Sequence, residues 1–100
     1  MKDNIPSELE VMRMSILMKV LSDASRLKIL FTILKKPKSV QQIETSVHMT
    51  QSAVSHQLSL LRKAEIVETN RDGNKIYYSI KDKGIVDLLK LFIKAFNEGY

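Results

Sequence analysis

Apolar residues recur along this chain at two periods, and the change from one to the other divides it. Up to Leu61 they fall three and four apart, as on a helix face; from Val67 to Ile80 they alternate, as on a strand. Ser7 can cap a first helix to about Leu21, with Glu8 and Glu10 in the turn where the helix dipole favours negative charge. Asp23 can cap a second, to about Lys35, with Leu27, Leu30, Phe31 and Leu34 as its core stripe. Pro37 stops that helix, because the residue before a proline is pushed out of the α region. Ser39 and Gln42 have the spacing of a capping box, and Val40, Ile43 and Val47 share one side of the helix that follows. His48 and Met49 interrupt the pattern, and Thr50 is a good N-cap for the next helix. There Val54, Leu58 and Leu61 form the buried stripe.

The alternating stretch runs from Ile66 to Ile80. Val67 and Thr69 alternate, as do Ile76, Tyr78 and Ile80, and Asn70 to Asn74 holds Asp72-Gly73, a hairpin signal that rests on positive φ. Lys81 to Gly84 reads as a turn, and a last helix covers about 85–97. The pattern predicts a mainly α (α+β) fold in one domain: about five helices and a two-stranded β-hairpin. Residues 39–63 form a helix–turn–helix, and 66–80 a wing behind it.

The end helices differ from the rest. In 7–21, Leu9, Val11, Met12, Met14, Ile16, Leu17, Met18, Val20 and Leu21 wrap most of the circumference. In 85–97, Ile85, Val86, Leu88, Leu89, Leu91, Phe92, Ile93, Ala95 and Phe96 do the same. Such helices must be buried nearly all round, and 100 residues cannot cover both. Pairing of both helices with their mates in a two-fold homodimer is the simplest solution, mutual burial within a monomer the alternative. On the dimer reading, Leu89→Glu breaks the dimer.

The face of 51–63 opposite the apolar stripe carries Gln51, Ser52, Ser55, His56, Ser59 and Lys63. Short hydroxyls, an amide and an imidazole can bond base edges and phosphates, and the major groove admits one helix. The same residue types also serve as a plain solvated surface. Net charge is +5, which suits an acidic partner. The excess lies before residue 82, and the last helix is neutral. Lys35, Lys36 and Lys38 bracket Pro37, where they can reach phosphate or simply complement a helix C-terminus. Arg71 and Lys75 sit at the hairpin tip, within reach of backbone or minor groove.

Other classes find little support. There are no cysteines, hence no disulfide, thiolate ligand or cysteine nucleophile. Two scattered histidines and three glycines supply neither a triad nor a phosphate loop, so no enzyme and no cofactor are expected. No apolar run reaches membrane-span length and the N-terminus has no signal-peptide core, so a cytoplasmic protein without membrane contact is expected.

The wording LSDASRLKILFTIL, followed by TQSAVSHQLSLLRKAEIVETNRDGNKIYYSI, resembles the ArsR/SmtB family of small winged-helix repressors over about residues 9–97. The resemblance implies a homodimeric repressor on a palindromic double-stranded DNA operator, released by an effector. It places Gln51, Ser52, Ser55, His56 and Gln57 at or near the major groove, and Arg71 and Lys75 at the wing. With Lys38, Ser59 and Arg62 these make the expected DNA-binding set. A winged-helix interaction module that does not read DNA is the competing class.

The departures bear on the effector. One family site uses cysteines on the helix matching Val40 to Val47, and none is present. Another pairs acids and imidazoles along the last helix; here Asp82 and Glu98 keep acidic positions, while Gly84 and Ala95 stand where imidazoles would be. Zinc prefers four N, S or O ligands, so two carboxylates alone make a poor site, and no metal site is expected. The oxygen ligands left to consider are Asp82, Asp87, Glu98 and Tyr100, beside His48 and His56.

Overall fold

Side-chain caps set where the helices begin. The computed structural model describes residues 4–99. In it Ser7 opens α1 (Glu8–Leu21) with a full capping box to Glu10, and Ser39 opens α3 (Val40–Val47) with another to Gln42. Asp23 accepts from the Arg26 N–H at 3.0 Å to start α2 (Ala24–Ile33). Thr50 accepts from the Ala53 N–H at 3.2 Å to start α4 (Gln51–Lys63). Removing one such cap destabilises by about 1 kcal/mol.

The last helix, α5 (Lys83–Asn97), starts two residues earlier than the apolar pattern indicates. The segment read as a turn contains its cap: Asp82 Oδ1 accepts from the N–H groups of Gly84 at 2.8 Å and Ile85 at 3.4 Å. Helix α2 ends at Ile33, before Pro37, rather than at Lys35. Its buried face also differs. Ile29, Leu30 and Ile33 are fully covered, Leu27 and Leu34 are half-buried, and Phe31 is 37% exposed. Helix α2 packs on α1, α3, α4 and the sheet, so its covered arc is wider than one stripe.

The wing is larger than a hairpin. Strands β2 (Val67–Asp72) and β3 (Lys75–Ile80) pair antiparallel, and a two-residue strand β1 (Lys38–Ser39) adds to the other edge of β3. The sheet order is β1-β3-β2, which corrects the two-stranded expectation. The register Asp72↔Lys75 places the turn at Gly73-Asn74, one residue beyond Asp72-Gly73, with φ +66° at Gly73. Positive φ at the first of two loop residues is the type II′ pattern, which matches the strands' twist.

One core joins these elements: Leu21, Ile29, Leu30, Ile33, Ile43, Val47, Val54, Leu58, Leu61, Ile66, Val67, Ile85 and Leu89. Arg26 Nε donates to the Val20 carbonyl at 2.7 Å and ties α2 to the end of α1. Of α1 only Leu21 is buried, while Leu9, Val11, Met12, Ile16 and Met18 are more than half exposed. Among the described residues no helix is long and apolar enough to cross a membrane.

Candidate nucleic-acid interface

Helix α4 is held by its buried stripe: Val54, Leu58 and Leu61 are 0–1% exposed. At 3.6 residues per turn, Ser52, His56, Ser59 and Lys63 then lie on the far side, and all are exposed. Gln51 is exposed at the N-terminal end. Ser55 and Arg62 flank this face toward the wing. Gln57 stands apart: it is half-buried on the other flank, and its Oε1 is buried with no hydrogen-bond partner.

The hydroxyls of α4 differ from most of those on the other helices. Ser15, Thr32, Thr45 and Ser46 each donate to a carbonyl three or four residues back in their own helix, at 2.8–3.1 Å. Among the described residues, Ser52, Ser55 and Ser59 make no such bond, and neither does His56. The outer face of α4 therefore carries hydrogen-bonding capacity that its own fold leaves unused.

Both ends of α4 use left-handed residues to set its direction. His48 closes α3 at φ +57°, which turns the chain between α3 and α4. After α4, the Glu65 N–H donates to the Arg62 carbonyl at 2.9 Å and the Ile66 N–H to the Leu61 carbonyl at 3.0 Å, with Glu65 at φ +60°. This pair of bonds is a Schellman motif, and the buried Leu61 and Ile66 supply its hydrophobic contact. It fixes how the chain leaves α4 for the wing.

A cavity of about 360 Å³ lies between α4 and the sheet, lined by Ser55, Ser59, Arg62, Lys63 and Tyr78. Tyr78 sits mid-sheet, paired with Thr69 on one side and Lys38 on the other. The short β1 strand thus carries the half-buried Lys38 to the same sheet face as Tyr78. Sequence reasoning missed Tyr78, because its part in this cavity depends on packing between distant elements. Arg71 and Lys75 are exposed near the end of the hairpin, one residue and none from the turn pair Asp72↔Lys75.

The carboxylates considered as ligands are placed otherwise. Asp82 caps α5, and Asp87 lies 3.6 Å from Lys83 in an exposed ion pair. Among the described residues no group of three His, Cys, Asp or Glu side chains could hold a metal ion. Tyr100 lies outside the described residues.

Comparison with known proteins matches residues 23–69 to the model for bacterial regulatory proteins of the arsR family. Rv0081 of Mycobacterium tuberculosis, an HTH-type transcriptional regulator, is 38% identical over 78 residues, which are 77% of this chain and 68% of that protein. Its crystal structure superposes with a TM-score of 0.77 over 93% of both chains. The chain belongs to the ArsR family. The HTH-type transcriptional regulator NmtR of the same organism is 39% identical over 72% of this chain and 60% of its own length. The repressor BigR of Xylella fastidiosa shares the fold at a TM-score of 0.82 and 29% identity, over 89% of this chain and 91% of its own. The chain spans about half to three fifths of the length of several curated relatives, NmtR among them. The hairpin β2–β3 after α4, with β1 on its edge, is therefore the wing of an ArsR-type winged helix.

Proposed function

We propose that this ArsR-family chain is a transcriptional repressor that binds a palindromic operator as a homodimer. The observation that carries the reading is the outer face of α4, whose exposed Ser52, Ser55, Ser59 and His56 make no hydrogen bond among the described residues. Hydroxyls and an imidazole on a helix held clear of the core suit base edges in the major groove. Gln51 and Gln57 lie at the margins of the contact. Lys38, Arg62, Arg71 and Lys75 bind phosphates from the connector, the end of α4 and the wing. BigR is named a transcriptional repressor, which supports the same role here.

The dimer follows from uncovered apolar surface. Five large apolar residues of α1 are more than half exposed, as are Leu91 and Phe96 of α5. An open apolar groove of about 940 Å³ between α2 and α5 is lined by Leu27, Phe31, Leu91, Phe92, Ile93 and Phe96 among others. A second copy placed on the α1 and α5 surface removes this area from water. The pair presents two α4 helices to half-sites about 34–36 Å apart. Release follows when an effector binds the DNA-free state more tightly.

Fluorescence anisotropy with duplexes tiled across the protein's own upstream region tests this. One tile should bind far more tightly than its scrambled version, and Ser52→Ala, Ser55→Ala and His56→Ala together should abolish the preference. Equal affinity for all duplexes would reject the assignment of α4 as the reading element.

A further inference from the structure

We propose that the cavity between α4 and the wing seats one backbone phosphate of the bound duplex, with Lys63 and Tyr78 as its ligands beside Arg62, a site that rests on the DNA-binding reading above. Its lining offers three hydroxyls and two cations and no carboxylate: Ser55, Ser59, Tyr78, Arg62 and Lys63. Such a set suits a singly charged anion rich in acceptor oxygens, which a phosphodiester is.

The charges there are uncompensated. Lys81 and Lys83 pair with Glu65 and Asp87 at 3.5 and 3.6 Å. Among the described residues Arg62 and Lys63 pair with no acid. The dipole at the C-terminal end of α4 opposes an anion. Its last carbonyls, however, already accept from the N–H groups of Ala64, Glu65 and Ile66. Two full positive charges on adjacent residues outweigh what remains.

Topology points to the same occupant. Helix α4 forms one wall and the middle strand of the wing, through Tyr78, forms the other. When a helix lies in the major groove and a wing reaches the neighbouring minor groove, the strand of DNA between them is a sugar–phosphate backbone. Ser52 and His56 lie nearer the N-terminal end of α4, with Lys63 roughly 10 Å further along the axis than His56 at 1.5 Å per residue. Base reading thus centres on Ser52 and His56 and backbone clamping on Arg62 and Lys63, while Ser55 and Ser59 border both.

The test is anisotropy of the whole chain on a short mixed-sequence duplex across a KCl series. Lys63→Gln should weaken binding to any sequence and make the log affinity–log salt slope shallower by about one unit. Tyr78→Phe keeps the ring and the charge. It should lower affinity on the order of tenfold with the slope unchanged. Lys28→Gln, an exposed change on α2, should alter neither. A wild-type slope in Lys63→Gln, or wild-type affinity in Tyr78→Phe with an unaltered melting curve, overturns the phosphate seat while leaving DNA binding intact. A wild-type chain that binds no duplex at low salt overturns both.

Discussion

Two leucines on one helix separate folding from association. Leu89 is 0% exposed within a single protomer, whereas Leu91, two residues on, is 58% exposed. The expectation that Leu89→Glu would break the dimer is therefore corrected: that change buries a carboxylate in the protomer's own core. Losing the leucine alone costs about 2–5 kcal/mol, before the buried charge is counted. A domain of this size has about 5–15 kcal/mol in all, so Leu89→Glu should not fold. Leu91→Glu gives up less than half of a leucine's burial in the lone protomer, about 1 kcal/mol. In a two-fold dimer the same change appears twice and sets two carboxylates in an apolar contact. A loss of about 3 kcal/mol follows from the area alone, which weakens association by at least about a hundredfold. Sedimentation equilibrium with circular dichroism reads both effects. The Leu91→Glu protein should be helical and monomeric, the Leu89→Glu protein unfolded. A Leu91→Glu protein that sediments as a dimer at wild-type concentration would refute the placement of α5 at the interface.

Ser55→Ala or His56→Ala should each weaken specific binding by about 1–3 kcal/mol if it contacts a base edge, measured against a scrambled duplex. Wild-type affinity in both would remove these residues from the contact. Arg71→Ala and Lys75→Ala should weaken binding to all sequences and each flatten the salt slope by about one unit, read from an anisotropy salt series. Glu65→Gly should stabilise the fold. Relief of a left-handed non-glycine residue gives about 1–2 kcal/mol, offset by about 0.5–1 kcal/mol of glycine entropy. Loss of the exposed pair with Lys81, 3.5 Å away, takes back a few tenths. The net gain of about 0.5 kcal/mol should raise the melting temperature by about 2–4 °C. Ala64→Gly, at a right-handed position, should lower it, and the opposite order would contradict the Schellman geometry.

Local chemistry made much of the fold legible. The caps at Ser7, Asp23, Ser39 and Thr50 are each satisfied within three residues, so their spacing in the chain is enough to find them. The stripe Val54–Leu58–Leu61 was legible for the same reason. Strand β1 was not, because two residues form a strand only through pairing with Tyr77 and Tyr78, about forty positions away. The start of α5 was not legible in the apolar pattern, because its first residues are held by the Asp82 cap and not by an apolar contact. On α2 the expected stripe left out Ile29 and Ile33 and included Phe31, since which arc is covered depends on how many neighbours surround the helix. At the candidate interface, the exposed α4 face followed from periodicity. The cavity holding Tyr78 and Lys63 did not, because no local pattern reports how a sheet packs against a helix.

Hydroxyl-radical footprinting of the wild-type chain on its tightest-binding upstream duplex tests the two α4 helices together. Two protected patches should appear on one face of the DNA, their centres about one helical turn or 10–10.5 base pairs apart. A single patch, or two patches on opposite faces, would contradict the proposed dimer.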